Sequence, residues 1–243
     1  MTLRVLIVIF LVIQSVCSWA ATESTNEYLI GGQQFIPDAE YGATLCDNPR
    51  YICKKVHARQ SWKSLFPKKE QRELVMRLNR TNVALRYRSF IIVPKELAKA
   101  NYMQLSPFPQ HRDTDGHRLL YVDLGVFAFA AYNKHGSLMF WGPAAGGKPW
   151  CEDTKDSCST ATGDFHVFKI KGEDCQSGTY PMETKGGAPM PYCMYYHKGF
   201  AIHGSTLSGF INRSRGCVRL FDDDAKWLNQ QFVQLGTEVI VSQ

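Results

Sequence analysis

The sequence has no internal repeat and no low-complexity tract. Charge of one sign is also in short supply. Lys+Arg 28 against Asp+Glu 22 leaves a formal +6 over 243 residues, and a dedicated nucleic-acid binder usually shows a stronger or more clustered basic signal. Past the N-terminus there is no long hydrophobic run, which excludes a polytopic membrane protein. There is no Cys-x-x-Cys and no paired His–Cys spacing, so a zinc site has nothing to build on, and no metal or organic cofactor is called for. What remains is ordinary globular composition, 44% hydrophobic and 21% charged, which argues against a wholly disordered, collagen-like or acidic-tail protein.

The first twenty residues look like an address. Arg4 is their only charge, the apolar run 5–13 follows it, and Ser18-Trp19-Ala20 places small residues where a signal peptidase reads them. The spacing predicts a signal peptide, residues 1–20, cleaved after Ala20. The rival is an uncleaved anchor, but the run is short of the roughly 20 apolar residues that a span needs. A lipoprotein signal at Cys17 is discounted because Gln14-Ser15-Val16 lacks the Leu and the small residue such a site prefers. The expected location is the periplasm or cell envelope, or outside the cell, with no membrane span once the signal is removed.

Cysteine usage fits an oxidising compartment. Of the 8 cysteines, Cys17 leaves with the signal and an odd set remains. Local loop closure suggests Cys46–Cys53, Cys151–Cys158 and Cys175–Cys193, with Cys217 left as an unpaired thiol.

Along the chain, residues 21–45 are polar and Gly-bearing and read as irregular, within a lead-in segment 21–55. Residues 56–94 form a compact stretch. Pro67 opens a helix whose buried stripe is Leu74, Val75 and Leu78, and Phe90-Ile91-Ile92-Val93 is a strand stopped by Pro94. Val56, Trp62, Leu65, Leu78-Asn79 and Ile91-Ile92-Val93-Pro94 together resemble a divergent LysM module, a small glycan-binding unit. Ala58-Arg59-Gln60-Ser61 departs from its first-turn pattern. The resemblance implies an α/β module over 56–95 that contacts glycan strands. The bland alternative is a helical packing unit whose basic run (Lys54, Lys55, Arg59, Lys63, Lys68, Lys69, Arg72) is a solvated face.

Residues 96–118, with Pro107, Pro109 and Gly116, read as a linker. From residue 119 the texture is that of strands: 119–132 and 137–141 around an Asn133-Lys134-His135-Gly136 turn, then 163–170, 199–203 and 237–241. Asp222 or Asp223 is expected to cap a late helix with the stripe Ala225, Leu228, Phe232 and Leu235, closed by Gly236. The fold class expected is mainly β, an antiparallel sandwich or barrel with one C-terminal helix. Trp141 and Trp150 read as core aromatics. Tyr192, Tyr195, Tyr196 and His197 read as strand packing rather than groove lining.

The chemistry concentrates between His203 and Cys217. A nucleophilic thiol needs a base within hydrogen-bond reach and backbone N–H donors for the oxyanion. Fourteen positions separate the two residues, too far for one helical turn but suited to a strand, a loop and a returning strand. Gly204 lets the chain turn, and Gly216 lets a carbonyl approach the backbone. The N–H groups of Arg215, Gly216 and Cys217 are the expected oxyanion donors, and Arg215 beside the thiol would favour thiolate.

His203-Gly204-Ser205 followed by Ser214-Arg215-Gly216-Cys217-Val218-Arg219-Leu220 resembles the signature of the L,D-transpeptidase catalytic domain (YkuD type). Ala161-Thr162-Gly163-Asp164-Phe165 and Gly187-Ala188-Pro189-Met190-Pro191-Tyr192 support it, and the resemblance spans 119–243. It implies an L,D-transpeptidase-type β fold and attack by Cys217 on the L,D amide of a peptidoglycan tetrapeptide stem. His203 would be general base and acid, and Ser205, Ser214, Arg215 and Gly216 would form the oxyanion and substrate environment. D-Ala leaves, and an amine of another stem, or water, takes the acyl group. Two departures stand out: Ala161 replaces a frequent Pro, and Arg215 stands where many members carry His. Whatever that His does to orient His203 must come from elsewhere, with the Ser205 or Ser214 backbone the first candidates. Arg219 reads as a structural salt-bridge partner before a substrate clamp.

Two further functions remain open at this point. One is an L,D-carboxypeptidase with water as acceptor. The other is a non-catalytic wall-binding or host-contact protein that uses 56–95. A papain-like protease fits less well, because there the Cys precedes the His.

Overall fold

The computed structural model describes residues 28–30, 33–35 and 40–243. The expected signal peptide lies outside the described residues. The chain divides into two units, Met1–Pro37 and Asp38–Gln243. In the first, β1 (Tyr28–Ile30) and β2 (Gln33–Phe35) pair antiparallel, Tyr28 opposite Phe35.

The second unit opens with α1 (Glu40–Asp47) and β3 (Tyr51–Lys55), clasped by the Cys46–Cys53 disulfide. Regular structure therefore begins inside the stretch that reads as irregular. Next come α2 (Trp62–Leu65), α3 (Lys69–Leu78) and β4 (Phe90–Pro94), the last antiparallel to β3. Ser61 starts α2 with a reciprocal cap: its hydroxyl accepts the Ser64 N–H at 3.1 Å, and the Ser64 hydroxyl accepts the Ser61 N–H at 2.9 Å. Val75 and Leu78 are buried as their spacing predicts. Asn79 locks α3 to β4. Its Nδ2 donates to the carbonyls of Val75 and Ile92, and its Oδ1 accepts the Ile92 N–H. These bonds explain how an amide can be fully buried without penalty.

Within 96–118 two short 3₁₀ turns, Leu97–Lys99 and Tyr102–Leu105, lie on the body of the unit. The Tyr102 ring stacks on Trp141 at 4.8 Å, and Trp141 Nε1 donates to the Tyr102 carbonyl.

The remaining strands are β5 (Leu119–Asp123), β6 (Ala128–Tyr132), β7 (Leu138–Ala145), β8 (Trp150–Cys151), β9 (Asp156–Ser157), β10 (Gly163–His166), β11 (Lys169–Ile170), β12 (Met194–His197), β13 (Phe200–Gly204), β14 (Val218–Leu220) and β15 (Glu238–Ser242). β8 and β9 form a small separate hairpin, and the other nine make one sheet in the order β10-β15-β5-β6-β7-β14-β13-β12-β11. Two neighbours are parallel, β15 with β5 and β13 with β14, so the sheet is mixed rather than purely antiparallel. It curls on itself: Phe165 of β10 packs against Tyr196 and His197 of β12, ring centroids 5.2 and 4.9 Å apart. The expected strand 119–132 is a hairpin of β5 and β6. Asp123 Oδ1 accepts from the N–H groups of Gly125 and Val126 and closes the turn between them.

The inside of the curl holds the main core, with Leu120, Phe129, Met194, Ile202, Val218, Leu220 and Val239. α4 (Asp222–Trp227) packs there and runs into a π-helical turn, Leu228–Phe232. Phe221 occupies the N-cap position with no side-chain cap. Asp222 and Asp223 sit in the first turn instead, where their charge suits the helix dipole. Trp141 is buried as expected, whereas Trp150 is 49% exposed, because on β8 the neighbouring Cys151 takes the buried side and the alternate position faces outward.

The β3–β4 unit is fastened to the sheet at several places, two of them through side chains that hold both ends of a contact. Arg77 of α3 donates to both carboxylate oxygens of Asp224 on α4, one at 2.6 Å. After α3, Asn82 Nδ2 donates to the Ser205 carbonyl at 3.2 Å and Asn82 Oδ1 accepts the Leu207 N–H at 2.8 Å. One amide thus holds both sides of the loop that leaves β13. Asn82→Ala removes both bonds and is expected to cost about 1–3 kcal/mol, read as a lower Tm. If the Tm is unchanged, that loop is held by other contacts.

Candidate active site

β13 and β14 run side by side with Ile202 opposite Val218 and His203 opposite Arg219. Ile202, Val218 and Leu220 are fully buried in the core. Side chains alternate along a strand, so His203, Arg219 and, two residues before Arg219, Cys217 share the opposite face. That face lines a cleft of about 520 Å³ together with Ser205, Ser214 and Arg215. The three expected disulfides are formed, and Cys217 is free.

His203 is 5% exposed. Its Nδ1 lies 2.8 Å from the Gly204 carbonyl. A carbonyl only accepts, so Nδ1 carries the proton and Nε2 presents its lone pair. Burial pushes the imidazole pKa down to about 4; the Gly204 carbonyl resists this, and the Arg219 charge adds to it. The ring is therefore neutral at pH 7. The residue that orients His203 in place of a second histidine is Gly204, not the Ser205 or Ser214 backbone.

Cys217 is partly buried, and burial raises its thiol pKa. Hydrogen bonding to the Ala201 backbone and the Arg219 charge pull in the other direction. The resting cleft thus holds a thiol and a neutral imidazole, not a preformed thiolate. Arg215 does not supply the cation expected there. It is ion-paired with Asp153, and its guanidinium lies 4.7 Å over the Tyr180 ring. Asp153 belongs to the Cys151–Cys158 loop and Tyr180 to the Cys175–Cys193 loop, so Arg215 joins two disulfide-closed loops at the cleft mouth.

Ser214 shapes the approach to Cys217. Its hydroxyl donates to the Cys217 carbonyl at 2.5 Å and accepts the Gly216 N–H at 3.0 Å. The Gly216 N–H is therefore committed within the turn, unlike its expected role as an oxyanion donor. Gly216 itself has φ +112°, and a Cβ there would lie 2.3 Å from a Phe200 ring carbon. Gly216→Ala combines backbone strain with a displaced ring. It is expected to lower stability by about 1–3 kcal/mol and to disturb the cleft wall. A crystal structure of the variant with Phe200 unmoved would contradict this.

Tyr195 lines the cleft, whereas Tyr192 and Tyr196 pack in the main core. Met190, from the segment 187–192 that supports the family resemblance, also lines it, as do Tyr180, Phe200, Lys169 and Lys198, which nothing local in the sequence marks. Their partners come from loops brought together over long separations. Among the described residues, no group of three or more His, Cys, Asp or Glu is placed to hold a metal ion, and no helix is long and apolar enough to cross a membrane.

The class defined by these observations is a β-rich protein with an unpaired thiol and a neutral imidazole on one face of a parallel strand pair. A family model of the L,D-transpeptidase catalytic domain (YkuD) matches residues 117–241, and the chain belongs to that family. No curated protein matches the sequence. Among solved structures, an L,D-transpeptidase from Xylanimonas cellulosilytica DSM 15894 is 20% identical with a TM-score of 0.49, over 62% of this chain and 71% of that one. An L,D-transpeptidase from Mycobacterium smegmatis is 22% identical with a TM-score of 0.42, over 52% and 59%. L,D-transpeptidase 3 from Mycobacterium tuberculosis, in complex with a faropenem-derived adduct, is 20% identical with a TM-score of 0.42, over 52% and 60%. The chain thus spans about three-fifths of the length of the two mycobacterial proteins.

Proposed function

We propose that the chain is a peptidoglycan L,D-transpeptidase with Cys217 as nucleophile and His203 as general base and acid. The observation that carries this reading is the 2.8 Å contact of His203 Nδ1 with the Gly204 carbonyl, which assigns the proton to Nδ1 and frees Nε2 as a base, on a residue that lines the same cleft as the one unpaired thiol among the described residues. As Cys217 Sγ bonds to the carbonyl carbon of the L,D amide, its proton passes to His203 Nε2. The oxyanion is received by the N–H groups of Arg215 and Cys217, since that of Gly216 is engaged. Collapse breaks the C–N bond, and the imidazolium returns its proton to the amine of the departing D-Ala. The thioester is then attacked by an acceptor amine, which gives a proton to His203 as the new amide forms, and the thiol is regenerated.

Peptidoglycan stems are the partners in this reading, and the periplasm or cell envelope is the place. The three disulfides support an oxidising compartment. The α2, α3 and β4 order within 56–95, completed to β-α-α-β by β3 from just before it, supports a LysM-like role for 56–95. There, Arg59, Lys63, Arg72 and Arg86 surround a second cleft of about 530 Å³ beside Gln60 and Trp62, suited to holding glycan strands.

The test is digestion of purified sacculi with wild-type and Cys217→Ala protein side by side, followed by muropeptide analysis. Crosslinked L,D dimers with wild type only are expected. Trimmed tripeptides without dimers would replace transfer with hydrolysis, and unchanged muropeptides would contradict both.

A further inference from the structure

Arg219 is a cation of the catalytic cleft whose buried Nε the mechanism does not explain. The sequence reads it as a salt-bridge partner. Among the described residues, however, no carboxylate pairs with it, and its Nε is buried without a hydrogen-bond partner. A guanidinium is not deprotonated at any working pH, so this charge persists half-sheltered from water. A buried N–H without an acceptor is uncommon in a folded protein and calls for a partner.

The surroundings say what kind of partner fits. The cleft is lined by Lys169, Lys198, Arg215 and Arg219, and by no Asp or Glu. Arg215 already has Asp153 and Tyr180. Arg219 has neither, and it stands opposite His203 in the strand register, two residues from Cys217. Two residues along a strand put the two Cα atoms about 6–7 Å apart, and both side chains line the cleft, so the guanidinium is within reach of the residues that flank an amide held at the sulfur. A planar fork at that range matches a carboxylate in two parallel hydrogen bonds.

We propose that Arg219 is the specificity-determining counter-ion for a carboxylate of the donor stem within one residue of the scissile amide. This rests on the transpeptidase reading of the cleft. Two donor carboxylates meet the description: the C-terminal carboxylate of the departing residue and the free carboxylate of the diamino acid on its N-terminal side. Pairing with either holds the amide over Cys217 and disfavours stems in which that group is masked.

The experiment compares wild type, Arg219→Gln and Arg219→Lys on three synthetic donors: the free tetrapeptide, its C-terminal carboxamide, and the tetrapeptide amidated at the diamino-acid carboxylate. With wild type, masking the paired carboxylate is expected to lower kcat/KM by about 10–100-fold, and the donor that suffers identifies the group. Arg219→Gln should lose a similar factor on the free tetrapeptide and little more on the masked donor, with Arg219→Lys in between. Equal losses by Arg219→Gln on all three donors would overturn the proposal, since they would mean that Arg219 acts only on the thiol or the fold. Calorimetric binding of the same peptides to Cys217→Ala, with and without Arg219→Gln, separates this from the underlying reading. Carboxylate-dependent binding that Arg219→Gln abolishes, without turnover by wild type, would sink the transpeptidase reading and keep the Arg219 assignment. Turnover by wild type with binding indifferent to Arg219→Gln would do the reverse. Absence of binding to any of the peptides would overturn the assignment as well.

Discussion

His203→Gln is expected to reduce acyl transfer by about 10²–10⁴-fold with the fold intact. Glutamine fills a similar volume and can still donate to the Gly204 carbonyl, so the local hydrogen bond at 2.8 Å has a replacement. It has no basic lone pair for the thiol proton. Because burial raises the Cys217 pKa, the thiol does not ionise unaided, and losing the base removes the main route to a nucleophile. The imidazole also sets the pH profile. With its pKa lowered to about 4 by burial, the base stays neutral as pH falls through 6.5. The acid limb of kcat/KM should therefore lie near pH 4. A limb near 6.5 would show an ordinary, water-exposed histidine.

The same shift has a stability consequence. The folded pKa is below the unfolded value of about 6.5, so the unfolded chain binds the proton first as pH falls. Stability linked to His203 is fully present above about pH 6.5 and is lost as pH drops from there toward about 4. The total is on the order of 3 kcal/mol. His203→Gln should flatten this part of the pH–stability curve relative to wild type, measured by denaturant unfolding at a series of pH values.

The second large effect is expected at the pair that joins α3 to α4. Asp224 is 1% exposed, and Arg77 is enclosed by the rings of Tyr102, Phe140 and Phe221 at 5.5–5.6 Å. Burial works against the charged guanidinium, but Asp224 overrides it and raises the Arg77 pKa. Removing either partner strands the other charge in a low-dielectric site. Arg77→Ala or Asp224→Ala should each cost about 3–5 kcal/mol, a fall in Tm of about 10 °C for a unit of this size. Arg77→Leu with Asp224→Leu should recover much of the loss, because an apolar pair has no charge to desolvate. A double variant as unstable as the sum of the singles would show that the pair does not act as a unit. The effect reaches the site, since α4 follows directly on β14 and packs against β13.

Some of this was legible in the sequence because it is local. The Cys46–Cys53, Cys151–Cys158 and Cys175–Cys193 loops close over short stretches, and the His203 and Cys217 segments carry their flanking residues with them. The β5–β6 hairpin was hidden because every residue of β6 is buried, so no alternation interrupts the run 119–132 at its turn. The late helix is shorter than its apolar stripe predicts. Its π-helical turn, closed by the Val233 N–H on the Leu228 carbonyl, shifts the phase of the apolar stripe and leaves Leu235 65% exposed. The reassignments of Arg215 and Arg219 depend on partners from other loops. Asp153 lies 62 positions from Arg215, and only the closed sheet shows that no carboxylate among the described residues pairs with Arg219.

The most direct measurement is intact-protein mass spectrometry of the purified chain after incubation with a carbapenem-type acylator, with peptide mapping of the adduct. One adduct on Cys217 of the wild type is expected, absent from Cys217→Ala and formed far more slowly by His203→Gln. A wild-type protein that takes no adduct, or takes it at another residue, would contradict the assignment of this sulfur as the nucleophile.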